Sequence, residues 1–154
     1  MQQKHILVAG IGNLFLGDDG FGVEVLRRLS HRQLPAGACA VDFGIRGVDL
    51  TYALLEKWDA VIFVDAAARG GDPGTLYLLE PQPGGEPSIE AHAMDPVRVL
   101  ALARELGPIP AVLRVVGCEP RSVEEAIGLS PEVEAAVEPA VAMVQRLVSE
   151  LSDA

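Results

Sequence analysis

Short apolar runs rich in valine and isoleucine alternate along this sequence with longer amphipathic stretches. Such alternation is typical of strands followed by helices, and of a mainly parallel sheet with both faces covered. The pattern predicts an α/β fold: a single three-layer domain over residues 1–154, with a mostly parallel, twisted sheet of about five strands and helices on both faces. We expect strands at residues 5–12, 38–43, 59–66, 74–80 and 111–117, and helices at 21–29, 48–57, 95–107 and 130–151.

Three of these segments carry more specific expectations. Residues 74–80 alternate between apolar and polar side chains, which favours a strand at the edge of the sheet. Pro139 lies inside the last helix and lacks the N–H that the helix ladder needs, so a kink is expected there. In the first helix Asp18 or Asp19 can cap the N-terminus, and one apolar stripe should face the core; it consists of Phe21, Val25, Leu26 and Leu29.

The charge of the chain limits its partners. Its 12 lysines and arginines against 22 aspartates and glutamates give a formal net charge of -10, which repels nucleic-acid phosphates and anionic lipid head groups. The N-terminal residues lack the pattern of a signal peptide, and no apolar stretch reaches the roughly 18 residues of a membrane span.

Cys39 and Cys118 lie in apolar segments and do not form a C-x-x-C pair. We therefore expect a cytoplasmic chain with reduced, buried thiols.

A glycine-rich turn, residues 10–22, lies between the first predicted strand and the first helix. A dinucleotide-binding loop would need a third glycine where this chain has Phe15, whose side chain prevents close approach of helix and strand. Asp18 and Asp19 would also repel a bound phosphate, by roughly 4 kcal/mol for one pair of charges about 4 Å apart. The dipole of the helix would stabilise the phosphate by only about 0.3–1 kcal/mol. The turn therefore favours a cation, with simple helix capping as the alternative.

Two further side chains fit the same edge of the sheet. Asp65 follows the apolar run 61–64 at the carboxyl end of a predicted central strand. Ligand crevices of open α/β sheets lie at that edge, so we expect Asp19 and Asp65 to be neighbours. His92 lies in a loop just before a predicted helix. Two carboxylates and an imidazole can hold a divalent transition metal, whereas the simpler alternatives are a turn cap for Asp65 and a solvated loop histidine for His92.

Other catalytic patterns are missing from the sequence. It contains no H-E-x-x-H or C-x-x-C spacing, so a permanent zinc site is not expected. It also contains no G-x-S-x-G elbow, and neither cysteine has a base visible in the sequence. Nucleophilic hydrolysis by serine or cysteine is therefore not favoured.

Taken in order, these motifs resemble those of the hydrogenase maturation endopeptidases. In that family the first strand and turn read G-x-G-N, followed by an acidic pair and G-x-G. The resemblance spans most of the chain, and the matching segments are Gly10–Asn13, Asp18–Gly22, Asp42–Gly47, Phe63–Ala66, His92, Gly117–Pro120 and Ile127–Pro131.

This resemblance implies an endopeptidase that removes the C-terminal extension of a nickel-loaded [NiFe]-hydrogenase large-subunit precursor. It implies that Asp19, Asp65 and His92 are the catalytic and nickel-contacting residues, with Asp19 standing where some family members have glutamate. The nickel belongs to the substrate, so no permanent metal cofactor is expected. The implied partner is the precursor, and the protease itself is expected to be a monomer.

Two other functions stay open at this point. A nucleotide-binding module would use the glycine-rich turn, with Asp42 as the ribose contact. A nickel carrier without hydrolytic activity would use the same three side chains as the protease. Arg46, in the loop after the second strand, is expected at the same edge, where it either contacts the precursor or is solvated.

Overall fold

The computed structural model describes residues 3–81 and 95–154. Within them the chain forms five strands, β1 (Ile6–Ile11), β2 (Ala38–Gly44), β3 (Ala60–Ala66), β4 (Leu76–Leu79) and β5 (Val112–Cys118). The helices are α1 (Phe21–Leu29), α2 (Gly47–Ala53), α3 (Pro96–Leu106) and α4 (Pro131–Asp153), and a 3-10 turn, Gly17–Gly20, precedes α1.

The five strands form one sheet in the order β2-β1-β3-β5-β4. Strands β1, β2, β3 and β5 run parallel, and β4 pairs antiparallel with β5 at an edge of the sheet. The predicted fold class and the predicted edge strand are both confirmed. The chain passes from β1 to β2 on one side and then to β3 on the other side, so the winding reverses between β1 and β3. In such sheets the reversal opens a crevice at the carboxyl ends of those two strands.

Helices cover both faces of the sheet. Helices α1 and α4 contribute to one apolar cluster, and α2 and α3 contribute to the other. Strand β1 divides its side chains between them, with Ile6 and Val8 in the first cluster and Leu7 and Ala9 in the second. This alternation explains why the central strands read as continuous apolar runs, since both of their faces are buried.

Glycine allows α1 to lie close to the sheet. A Cβ atom at Gly22, in the first turn of α1, would lie 2.2 Å from the carbonyl oxygen of Val64 and 2.3 Å from that of Ile11. Only a hydrogen fits between helix and strands at this point. The start of α1 is therefore held against β1 and β3, and the turn before it lies at their carboxyl ends.

Most predicted elements have their expected bounds to within a few residues. Helix α1 spans Phe21–Leu29 as predicted, and all four residues of its apolar stripe are buried. Helix α2 ends earlier than predicted because the indole N–H of Trp58 donates to the carbonyl of Ala53 (2.8 Å), which satisfies one carbonyl at the helix end. Helix α4 continues through Pro139, and the kink there stays a prediction.

The expectation of two buried thiols is wrong for one of them. Cys118 is buried, whereas Cys39 is exposed. Cys39 lies on β2, an edge strand whose side chains are mostly only partly covered. An apolar run indicates a strand, but it does not show whether helices cover both of the strand's faces.

None of the helices in the two described ranges is long and apolar enough to cross a membrane.

Candidate active site

The carboxyl ends of β1 and β3, where the winding of the sheet reverses, carry the glycine-rich turn and Asp65. The turn leaves β1 after Ile11, and Asp65 is the next-to-last residue of β3. Strands β1 and β3 are hydrogen-bonded neighbours, with Gly10 paired to Val64. The expected juxtaposition of the turn and Asp65 is therefore present.

Asp19 is fixed within the turn by backbone contacts. The amide of Asn13 donates to Oδ2 of Asp19 (2.9 Å), and the amide of Asp19 donates to the carbonyl of Leu16 (3.1 Å). Gly12 has a φ of 149°, and a Cβ there would lie 2.0 Å from the carbonyl oxygen of Asp19. Glycine is needed at this position because both the backbone conformation and the space exclude a side chain.

The surroundings of Asp65 disfavour its charged form. Burial of its carboxyl group raises the pKa of Asp65 well above the usual value, and the charges of Asp19 and Asp95 raise it further, against a smaller lowering by a backbone hydrogen bond from Ala66. Asp19 and Asp65 are therefore close enough for their charges to interact. A bound cation stabilises the charged form of partly buried carboxylates that repel one another in this way.

Asp18 has a different role from its neighbour. Its side chain is 2% exposed and accepts hydrogen bonds from the amides of Arg121 (2.8 Å), Ser122 (3.2 Å) and Ser130 (2.7 Å), and from the Ser130 hydroxyl (2.8 Å). Burial alone would raise the pKa of Asp18, but these hydrogen bonds outweigh it and hold the pKa below the usual value. Asp18 thus joins the turn to the segment 121–130.

The predicted capping of α1 by either aspartate is wrong. The residue before α1 is Gly20, and neither the 3-10 turn nor α1 has a side-chain cap. Both aspartates lie within the 3-10 turn that precedes α1, and their carboxylates accept hydrogen bonds from other segments. A side-chain cap does occur at α3, where the carboxylate of Asp95 accepts from the amide of Val97 (2.8 Å).

The third predicted site residue, His92, lies outside the described residues. Asp95, three positions later in the sequence, is described and acts electrostatically on Asp65. Within residues 3–81 and 95–154, no three His, Cys, Asp or Glu side chains are arranged to hold a metal ion.

The loop after β2 holds Arg46 and Asp42 in local contacts. Arg46 donates to the carbonyl of Asp42 (2.6 Å) and to Oδ2 of Asp49 (3.4 Å), and its guanidinium carbon lies 5.7 Å from the centre of the Phe43 ring. The carboxylate of Asp42 accepts from the amide of Gly44 (2.8 Å). Asp42 therefore serves the turn of its own loop, which weakens its assignment as a ribose contact. The Arg46 side chain stays largely exposed at the edge of the crevice.

Glu119 holds the loop that follows Asp65 in place. It lies in the segment Gly117–Pro120 of the family resemblance, but the sequence did not reveal this role. Its Oε1 accepts from the amides of Arg69 (2.8 Å) and Gly71 (3.0 Å) and from the Tyr77 hydroxyl (2.7 Å). These contacts hold the loop that follows Asp65 against the start of β4. The signal in the sequence was the position of Glu119 directly after an apolar strand. A carboxylate that is buried at such a position is usually hydrogen-bonded.

The environment of Cys118 argues against a cysteine nucleophile. Burial, with the nearby charges of Asp18 and Glu119, raises the pKa of the Cys118 thiol to about 12. A thiol with so high a pKa is not ionised near neutral pH and is a poor nucleophile. This agrees with the absence of a base beside it in the sequence.

Comparisons with known proteins identify the family and agree with the fold. A family model described as hydrogenase maturation protease matches residues 23–147. The chain is 34% identical over 145 residues to the hydrogenase 2 maturation protease of Escherichia coli, covering 91% of this chain and 88% of that protein.

Two solved structures show the same architecture. The hydrogenase maturating endopeptidase HybD from E. coli superposes with a TM-score of 0.82 at 33% identity, covering 95% of this chain and 93% of that one. The hydrogenase 2 maturation peptidase from Thaumarchaeota archaeon SCGC_AB-539-E09 gives 0.72 at 35% identity, covering 94% and 98%. With the site at the β1/β3 crevice and matches over nearly the whole chain, this protein belongs to the hydrogenase maturation protease family and is a peptidase.

Proposed function

We propose that this peptidase removes the C-terminal extension of a nickel-loaded [NiFe]-hydrogenase large-subunit precursor. The observation that carries the proposal is that the turn bearing Asp19 and the strand end bearing Asp65 lie side by side at the carboxyl ends of β1 and β3. A site of this kind attracts a cation and repels phosphate. The E. coli relatives at 33–34% identity carry names that specify hydrogenase maturation.

We assign His92 as the third nickel contact. It precedes Asp95 by three residues, and the charge of Asp95 already acts on Asp65. Oxygen from two carboxylates and nitrogen from one imidazole make a donor set that suits a divalent transition metal and leaves coordination positions open. Open positions are what a metal brought by another protein requires, since that protein keeps some of its own ligands on the ion.

The nickel in this proposal is part of the substrate, and it directs the cleavage. Contact with Asp19, Asp65 and His92 brings the tail of the precursor into the crevice and holds its scissile carbonyl in place. The ion can also polarise that carbonyl, while one carboxylate assists the attack of water. Arg46, exposed beside the crevice, is assigned a contact with the precursor.

Family membership favours hydrolysis over the two other functions considered from the sequence. A nucleotide-binding module is disfavoured by the acid pair and by Asp42, whose carboxylate is used within its own loop. A nickel carrier would use the same three side chains but would leave the tail of the precursor intact.

The experiment that separates protease from carrier uses two forms of one client. The purified protein is incubated with the nickel-loaded and with the nickel-free large-subunit precursor from its own organism, and both products are weighed by mass spectrometry. The proposal expects a shortened product from the nickel-loaded form only. Nickel transfer that leaves the tail intact would show that the protein is a nickel carrier and not a protease. Equal cleavage of both forms would show that nickel does not direct the cleavage.

We also infer that the protein acts as a monomer in the cytoplasm. Asp19 and Asp65 come from one chain, and Cys39 and Cys118 are both free thiols, as a reducing compartment leaves them. Sedimentation equilibrium should give the mass of one chain. The mass of a dimer would contradict this inference.

A further inference from the structure

Three large apolar side chains are exposed beside the crevice. Leu14 is 52% exposed and Phe15 is 68% exposed, both in the turn that carries Asp19, and Ile127 is 85% exposed in the segment 121–130. Two backbone hydrogen bonds join these segments: the amide of Ala126 donates to the carbonyl of Phe15 (3.0 Å), and the amide of Gly17 donates to the carbonyl of Ala126 (2.9 Å). Phe15 and Ile127 are therefore neighbours on one surface.

This surface is attached rigidly to the site. The amide of Phe15 donates to the side-chain oxygen of Asn13 (2.9 Å), and the amide of Asn13 donates to the carboxylate of Asp19 (2.9 Å). Phe15 is thus hydrogen-bonded through both its amide and its carbonyl. Its backbone is therefore fixed before binding, so that only the side-chain rotamer of Phe15 has to be ordered when a partner binds, as suits an anchor residue at an interface.

Folding of the domain does not require these side chains to be apolar. Single exposed apolar residues are ordinary, but three on adjoining loops next to a catalytic crevice indicate a contact surface. Exposed carboxylates of Glu124 and Glu125 lie beside it in the segment 121–130. An apolar centre with a charged border is the usual anatomy of a protein interface, and this border repels acidic segments.

From this geometry we infer that Leu14, Phe15 and Ile127 form a docking surface for an apolar, non-acidic segment of the large-subunit precursor. The inference rests on the proposed function, because a protein whose metal reaches Asp19 and Asp65 must approach the edge of the sheet on which this surface lies. Docking here binds the folded body of the client, while the carboxylates contact its metal.

The test compares two double variants at exposed positions. F15S/I127S removes the two most exposed side chains of the surface, and L102S/L106S removes two leucines of α3 that are 53% and 55% exposed. Tail removal from the nickel-loaded precursor is measured at several precursor concentrations, and circular dichroism checks that both variants are folded. We expect F15S/I127S to raise KM about tenfold or more with kcat changed less than about threefold, and L102S/L106S to leave both within about twofold of the parent.

The outcomes separate this inference from the proposed function. An unchanged KM for F15S/I127S, or an equal rise in KM for the α3 variant, overturns the inference of a docking surface. The proposed function is upheld in that case if the parent still shortens the nickel-loaded precursor. A parent protein that does not shorten the nickel-loaded precursor overturns both.

Discussion

Asp18 and Asp19 are adjacent, yet their carboxylates serve different parts of the molecule. Asp18 is buried and accepts four hydrogen bonds from the segment 121–130, whereas Asp19 is partly exposed at the crevice and accepts one from the amide of Asn13. The acid pair therefore combines a structural carboxylate with a site carboxylate.

Removing the Asp18 carboxylate should destabilise the fold. D18A leaves the part-buried backbone donors of Arg121 and Ser130 without an acceptor, so we expect a loss of about 2–4 kcal/mol in the free energy of unfolding. Urea unfolding measures it. D49N is the control, because Asp49 makes only an exposed 3.4 Å ion pair with Arg46, and it should cost less than about 0.5 kcal/mol. Equal stability of D18A and the parent would show that the segment 121–130 is held by other contacts.

Glu119 should make stability depend on pH. Burial would raise its pKa, but hydrogen bonds from the Tyr77 hydroxyl and from backbone amides, including that of Arg69, outweigh it and hold the pKa below its usual value of 4.5. A carboxylate whose pKa is lowered by folding stabilises the fold above the unfolded pKa, and this stabilisation is lost as the pH falls through the folded value.

The pair to compare is the parent and E119Q, by urea unfolding between about pH 7 and pH 3. We expect the parent to be more stable by a constant margin above about pH 6, and the margin to shrink as the pH falls below 4.5. A margin that is the same at every pH would mean that Glu119 does not titrate differently in the folded state.

The close approach of α1 to the sheet predicts a large effect of a single methyl group. In G22A the added carbon would meet carbonyl oxygens of Val64 and Ile11 at 2.2 and 2.3 Å, so we expect a loss of about 3 kcal/mol or more. G128A is the matched control, because Gly128 has a φ of 100° but open space around it, and only about 1–2 kcal/mol of backbone strain is expected. Similar losses in thermal or urea unfolding would contradict the tight packing of α1.

The two cysteines should differ in reactivity. Cys39 is exposed, whereas Cys118 is buried with a thiol pKa raised to about 12. An aromatic disulfide reagent at neutral pH should label one thiol in the native protein and both in denaturant. Rapid labelling of both native thiols would show that β5 opens readily.

Local patterns predicted the elements of this fold because each pattern is caused by burial. The apolar stripe of α1 predicted where that helix begins and ends. The apolar run before Asp65 predicted that β3 ends near this residue, at the edge of the sheet. Asp19 and Asp65 could be expected together because the carboxyl ends of neighbouring parallel strands share an edge.

Contacts between distant segments could not be predicted in this way. The partners of Asp18 lie 103 to 112 residues further along the chain, and those of Glu119 lie 42 to 50 residues earlier. A local pattern therefore favoured helix capping for Asp18, the commonest local use of aspartate at that position. The exposure of Cys39 depended on strand order, which is likewise a property of the whole sheet.

The most direct test of the site is the initial rate at which D19N removes the tail of the nickel-loaded precursor, with D153N, at an exposed position in the last turn of α4, as a control outside the site. Asparagine keeps the size of the side chain and removes the charge that meets Asp65. We expect a rate at least about 100-fold below that of the parent, with an unchanged circular dichroism spectrum, and the same result for D65N and H92A. Processing by D19N at the rate of the parent and of D153N would contradict the assignment of the site.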